Sequence, residues 1–179
     1  RKLQLTIEDA HVAEVSRVHF LHGEPIMVTS SSDNTIKMWI FDAPDGSSRL
    51  LKSREGHYGH PSKIRYYGGV TQASVRDNSS AESCEVLSSG SDGTLRYFNT
   101  AIEQQNRELK SRVVLDKLGM RRRNERLPQC TDFDFSETRQ RDWGNLVTVH
   151  RNHSNAYVWR YKNKAITDTI LRQPNWHAN

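Results

Sequence analysis

Cysteine is nearly absent from this 179-residue chain, which has only Cys84 and Cys130. Two such residues supply neither a disulfide framework nor a metal-ligand quartet, and in a β-rich sequence they read as free buried thiols. A reducing intracellular compartment is the expectation that follows. Long apolar runs are missing too: no stretch approaches the roughly 20 residues of a membrane span, and no signal peptide is visible. Mean hydropathy is −0.80. There is no G-x-G-x-x-G and no phosphate loop. Ser88-Ser89-Gly90-Ser91 is no nucleophile elbow, because a strand follows where a helix is required. His150 and His153 are spaced H-x-x-H, with His177 further on, but they lie on no predicted helix and no cysteine pair joins them. His19 and His22 bracket a turn and read as surface imidazoles. The sequence assigns no catalytic residue, no metal ligand and no cofactor.

What the chain does contain is one unit written three times. The copies are Thr29-Ser30-Ser31-Ser32-Asp33-Asn34-Thr35-Ile36-Lys37-Met38-Trp39, Ser88-Ser89-Gly90-Ser91-Asp92-Gly93-Thr94-Leu95-Arg96-Tyr97-Phe98, and a weaker Leu146-Val147-Thr148-Val149 running on to Asn155-Ala156-Tyr157-Val158-Trp159. Each is a β-rich run, a polar turn, then an alternating strand ending on an aromatic. Asp33 and Asp92 both stand six residues before that aromatic. Upstream, Val15, Val18 and Phe20 alternate as an inward-facing strand should, and His11 lies seven residues before Val18. His57 stands seven residues before Ile64, with Tyr66 at the place of Phe20. The third copy has Phe133 and Phe135 at the strand positions and Arg126 where the His would be. Repeats of this kind stack to bury a core that none could bury alone.

The pattern is that of WD-type β-propeller blades, an all-β architecture. In such blades a His, a strand Ser or Thr, the turn Asp and the terminal Trp form a buried hydrogen-bonded chain, here His11–Thr29–Asp33–Trp39. A buried carboxylate needs those partners, since a half-satisfied polar network costs more than an apolar core. The second blade keeps His57, Ser88 and Asp92 but has Phe98, which has no N–H to donate. The third keeps Trp159 and has His153 at the Asp offset. Three strands are predicted for the first blade: 15–20, 26–30 and 35–39.

Trp39 and Phe98 are 59 residues apart, and Phe98 and Trp159 are 61 apart. A plain repeat runs about 40–45, so each interval carries roughly 15–20 additional residues. In the second blade the surplus fits the polar loop 68–83. In the third it fits 101–126, whose proline-free Glu, Gln, Leu, Lys and Arg composition predicts a helix, with 101–120 expected as a helix or mobile segment outside the blade stack and not a fourth blade. The expected organisation is a blade over 1–55, a blade over 56–100, the insert over 101–126, a degenerate blade over 127–166, and the start of a next blade or linker over 167–179. Propellers close with typically four to eight blades. An open arc of three, starting at Arg1 without an initiator Met, is therefore expected to belong to a larger polypeptide or ring.

Charge is concentrated in the insert. Residues 101–127 hold eight Lys or Arg against four acids, most of the chain's net +5. The run Arg121-Arg122-Arg123 with Arg126 is the sharpest basic feature. It fits a phosphate-backbone contact or an import signal, and equally a solvated insertion that keeps the protein soluble.

Specific blocks narrow the family. Leu21-His22-Gly23-Glu24-Pro25, Lys37-Met38-Trp39-Ile40-Phe41-Asp42, Arg54-Glu55-Gly56-His57, Phe133-Asp134-Phe135 and Thr138-Arg139-Gln140-Arg141-Asp142-Trp143 together resemble the U3 small nucleolar RNP-associated tandem WD-repeat family (U three protein 21 in yeast, WD-repeat protein 36 in animals). The likeness runs over nearly the whole chain. Departures are Tyr58-Gly59-His60, where members tend to have small residues and proline, and the loop 68–83. The resemblance implies an interior portion of a two-propeller protein acting as a non-catalytic scaffold in the UTP-B subcomplex of the small-subunit processome, in the nucleolus of the nucleus. Its implied partners are other processome subunits, U3 small nucleolar RNA and pre-rRNA, with Arg121, Arg122, Arg123 and Arg126 as the candidate RNA contacts. No membrane and no small-molecule substrate are implied. The alternative is a generic WD adaptor, such as a ubiquitin-ligase substrate receptor or a chromatin reader.

Overall fold

The computed structural model describes residues 3, 5–67, 85–100, 102, 106–109, 127–136 and 142–174. They form three four-stranded antiparallel sheets, each a meander of strands consecutive in sequence. The first contains β1 (Val15–Phe20), β2 (Ile26–Ser31), β3 (Ile36–Ile40) and β4 (Arg49–Arg54). The second contains β5 (Pro61–Tyr67), β6 (Glu85–Gly90), β7 (Leu95–Asn99) and β8 (Asn106–Glu108). The third contains β9 (Cys130–Phe135), β10 (Leu146–His150), β11 (Ala156–Arg160) and β12 (Ala165–Leu171), with a 3-10 turn at Tyr161–Asn163. The all-β blade architecture expected from the repeats is the observed one.

Turn chemistry sets the hairpins. Between β2 and β3 the chain reverses through Asn34 at φ 66°, and between β6 and β7 through Gly93 at φ 77°. Both positions require the left-handed region that Gly and Asn tolerate. The turns share their hydrogen bonds: Ser31 N–H donates to the Thr35 carbonyl at 3.2 Å, and Gly90 N–H to that of Thr94 at 3.0 Å. A Cβ on Gly93 would also lie 2.4 Å from the Leu127 carbonyl oxygen, so the third blade approaches this turn too closely for any side chain.

The first strands of the first two blades are irregular in the same place. The register shifts between Val15 and Arg17 and again between Pro61 and Lys63. These bulges aim Ser16 and Ser62 at the neighbouring strand, where they meet Ser30 Oγ at 3.0 Å and Ser89 Oγ at 3.3 Å. Ser16 also donates to the Pro61 carbonyl at 2.9 Å, tying the first blade to the second.

Two apolar layers hold the stack. Val28, Ile36 and Met38 pack against Ile64, Tyr66, Val86 and Phe98 between the first and second blades. Leu87, Leu95, Leu109 and Tyr67 pack against Phe133, Leu146, Tyr157 and Trp159 between the second and third. Each fully buried side chain of this size contributes about 1.5–3 kcal/mol. β6 lies between both layers, and all six of its residues are buried.

Three expectations are corrected. Val15, Val18 and Phe20 do not face inward: they are 40, 54 and 61% exposed. Their counterparts Ile64 and Tyr66 fall to 5 and 9% because the first blade covers them, whereas no described blade packs on that face of the first, where Phe20 meets Phe41 with ring centroids 6.0 Å apart. The helix predicted over 101–126 fails where it can be tested. Asn106–Glu108 is a strand paired with β7, and Leu109 is buried in the core. Pairing to an existing sheet outweighs the weak helix preference of three polar residues. Finally, residues 167–171 do not start another unit but complete β12, paired to β11. The loop 68–83 and the rest of the insert lie outside the described residues.

Candidate functional site

The first blade assembles the polar chain its sequence announces. His11 Nε2 lies 2.8 Å from Thr29 Oγ1, and Trp39 Nε1–H donates to that same oxygen at 2.9 Å. His11 Nδ1 is 3.0 Å from Asp33 Oδ2 and 3.1 Å from Thr35 Oγ1. Asp33 also accepts from the Val12 N–H, the Thr35 N–H and the Thr35 hydroxyl. Burial pushes the Asp33 carboxyl up, but the bonds from Thr35, His11 and Val12 outweigh it and hold the group far below the ordinary carboxylate range. Thr35 belongs to the network although the repeat reading did not select it. Its signal was present, since Thr94 stands at the same offset from Asp92.

In the second blade His57 Nε2 meets Ser88 Oγ at 2.8 Å and Nδ1 meets Thr94 Oγ1 at 3.1 Å. Asp92 accepts from the Thr94 N–H and hydroxyl and from the Tyr58 N–H at 2.8 Å. His57 Nδ1 and Asp92 Oδ1 stand 3.6 Å apart, beyond a good hydrogen bond, so Thr94 links them. Phe98 is buried and leaves Ser88 without the indole donor that Thr29 has. Burial lowers the His57 pKa; the charge of Asp92 opposes this and that of Arg96 adds to it.

The third blade differs from its sequence reading. His153 is not in the Asp role: its Nδ1 lies 2.9 Å from the Tyr157 hydroxyl. The network is instead rebuilt from β10, where His150 Nε2 meets Thr148 Oγ1 at 2.9 Å and Trp159 Nε1–H donates to the same oxygen at 2.9 Å. His150 Nδ1 donates to the Pro128 carbonyl at 2.7 Å. Both ring nitrogens are thus committed to protein partners. Alternation along a strand puts residues 148 and 150 on one face, the one signal that could have revealed this.

A second buried polar cluster joins blades two and three. The Tyr161 hydroxyl donates to Glu85 Oε2 at 2.5 Å, and Lys164 pairs with the same oxygen. The Lys164 ammonium also lies 3.3 Å from the Tyr161 ring centre and 4.1 Å from that of Tyr97. Tyr67 stacks on Tyr161 with centroids 3.9 Å apart. Burial raises the Tyr161 phenol well above its usual range, and its bond to Glu85 adds to the rise.

Where blades one and two meet on the turn side, a cleft of about 510 Å³ is lined by Asp33, Asn34, Thr35, Glu55, Gly56, His57, Tyr58 and Arg96. Among the described residues, no group of three or more His, Cys, Asp or Glu is arranged to hold a metal. Arg121, Arg122, Arg123 and Arg126 lie outside the described residues, as does His177.

The WD domain, G-beta repeat family model matches residues 2–39. Over 174 residues the chain is 34% identical to the U3 small nucleolar RNA-associated protein 21 homolog of Schizosaccharomyces pombe, covering 96% of this chain. It is 33% identical to WD repeat-containing protein 36 of Homo sapiens, again over 96% of this chain. This chain is a run of WD-repeat blades homologous to these two proteins. Against U3 small nucleolar RNA-associated protein 21 of Saccharomyces cerevisiae the identity is 28% over 85% of the chain. The chain spans about a fifth of the length of these curated relatives, 18% of the first two and 16% of the third. In three dimensions the WD blades match the crystal structure of the computationally designed Ika4 protein at a TM-score of 0.56 and 19% identity, over 99% of this chain and 81% of that one. That likeness concerns the fold alone.

Proposed function

We propose that this chain is a propeller segment of a non-catalytic scaffold subunit of the small-subunit processome, within its UTP-B subcomplex. There it associates with U3 small nucleolar RNA and pre-rRNA in the nucleolus and supports small-subunit rRNA processing. The observation that carries this is the similarity over 96% of the chain to a protein named for association with U3 small nucleolar RNA. The geometry supports a scaffold reading. The histidines and acids of the three turn networks are consumed in internal hydrogen bonds, which leaves them no free acid, base or nucleophile for chemistry. Rigid stacked sheets suit the display of binding surfaces. For RNA, the candidates are Arg121, Arg122, Arg123 and Arg126. They carry charge for phosphates without an adjacent aromatic stacking platform, so binding through them is non-specific and salt-sensitive.

Against the adaptor reading as a chromatin reader, the cluster of Tyr67, Tyr97 and Tyr161 is already filled by the chain's own Lys164. Affinity purification of the full-length protein, with RNA and protein identified together, tests the proposal. U3 RNA and pre-ribosomal proteins are the expected yield. A ubiquitin-ligase or chromatin complex without U3 RNA overturns it. Converting the four arginines to Glu is expected to weaken crosslinking to RNA while the blades stay folded.

A further inference from the structure

The first strands of the three blades lie side by side, and two of their positions form rows of charged and titratable groups across the stack. One row is Arg17, Lys63 and Asp132, paired with the equivalent residues Ser30, Ser89 and Val149 of the next strand. The other is His19, Arg65 and Asp134, paired with Val28, Leu87 and Val147. In both rows the third blade sets an acid beside a cation of the second. Lys63 pairs with Asp132, and Arg65 Nη2 lies 3.8 Å from Asp134 Oδ1. Lys164 and Glu85 form another ion pair across the same boundary.

The first blade sets no acid in either row. The Arg17 charge opposes that of Lys63. Burial and Arg65 together lower the His19 pKa, so that imidazole is neutral at pH 7.5. The Lys63 side chain is 18% exposed, so its charge is screened less than that of a free surface lysine. Hydrogen bonds that cross this boundary run to backbone carbonyls. They include Ser16 to Pro61, Lys52 Nζ to Thr100 at 2.8 Å and Asn106 Nδ2 to Glu55 at 3.1 Å.

We propose that the two blade boundaries respond to salt in opposite senses, with the first blade as the part that opens more often when ionic strength is low. Like charges repel across the first boundary, and screening relieves them. Opposite charges attract across the second, and screening weakens them. The apolar layers close both boundaries in the resting structure, so salt changes how often each one opens. This asymmetry belongs to the blades themselves and holds whichever assembly the chain serves.

In the full-length protein, Cys130 reports on the second boundary and a V28C variant on the first, because both positions are buried in the respective layers. Slow alkylation at each is followed by peptide-level mass spectrometry in about 0.1 M and about 1 M sodium chloride, over which the screening length falls from about 10 to about 3 Å. High salt is expected to slow labelling at position 28 about threefold and to speed it at Cys130 by a similar factor. Adding R17Q, at an exposed position, is expected to slow labelling at position 28 in low salt and to leave Cys130 unchanged. V86C, in the same layer as Val28, takes its place if V28C fails to fold. A salt response in the same direction at both boundaries overturns the proposal. So does an unchanged rate at the first boundary when R17Q is added.

Discussion

His150 and Thr148 lie two residues apart on one strand, and their Nε2 and Oγ1 atoms meet at 2.9 Å. In the first blade the equivalent bond, His11 to Thr29, spans 18 residues. The third blade thus reaches the same Thr–His–Trp arrangement without an upstream His or a turn Asp, using the Pro128 carbonyl as the final acceptor.

Replacing Trp159 with Phe therefore removes a bond that the second blade, with Phe98, never had. The change also leaves space where a fully buried indole stood. A loss of about 2–3 kcal/mol is expected from the cavity and the missing donor together. H150A is expected to cost about 1–3 kcal/mol by stranding the Thr148 hydroxyl and the Pro128 carbonyl. Urea unfolding of each variant measures this. A Trp159→Phe variant as stable as wild type would show that the network is incidental to the third blade.

Acid should destabilise the protein in two stages. Burial lowers the pKa values of His57 and His150, so the folded state holds both neutral while the unfolded chain protonates them near the ordinary 6.5. A histidine with a depressed folded pKa contributes stability above the unfolded value, and that stability declines as pH falls below it. Asp92 has a depressed pKa as well: burial pushes it up, but bonds from Thr94 and Tyr58 prevail. Its contribution is complete above the unfolded value of 3.8 and is lost as pH drops through the lower folded one. Thermal midpoints measured from pH 7.5 to 3 are expected to fall first below about 6.5 and again below about 4. H57N should flatten the first decline; an unchanged pH profile would contradict the assignment.

The strands that carried the repeat were legible because an Asp turn and an aromatic terminus bracket an alternating run. The outer strands were not. Arg49–Arg54 is half exposed and lacks clean alternation, and Asn106–Glu108 is polar with only three residues, so backbone pairing to β3 and β7 makes them strands. The first-blade network could be read from fixed offsets, whereas Thr35 and His150 needed the same offsets applied to a second residue type. The contact between Glu85 and Lys164 had no sequence signal, because 79 residues separate them and only stacking of the blades brings them together.

Cys130 is fully buried, and burial raises its thiol pKa to about 12. Thiolate is the reactive form, so the folded protein should leave Cys130 unalkylated by iodoacetamide at pH 8. Peptide-level mass spectrometry checks this, with modification expected only after denaturant is added. Rapid labelling of Cys130 in native buffer would show that the second and third blades separate readily.

The Glu85 cluster fixes how those two blades sit together. Glu85 begins β6, while Tyr161 and Lys164 follow β11, so their contacts cross the blade boundary. Glu85 is 9% exposed at its side chain and Lys164 22%, so the pair is screened far less than a surface salt bridge. Removing one partner leaves the other charge buried and uncompensated, a loss of about 3–5 kcal/mol for a fully buried pair and less here because Lys164 keeps some solvent contact. K164M is expected to destabilise more than the double variant E85Q/K164M, in which no buried charge is orphaned. Burial lowers the Lys164 pKa below the ordinary 10.5 despite the opposing pull of Glu85, so the folded state favours the neutral amine more than the unfolded chain does. For Lys164 taken alone, raising the pH through that interval therefore stabilises rather than weakens the fold. A double-mutant cycle by urea denaturation separates the pair from its surroundings. Additive single-variant losses would mean that the two charges do not act together and that the tyrosine packing alone holds the boundary.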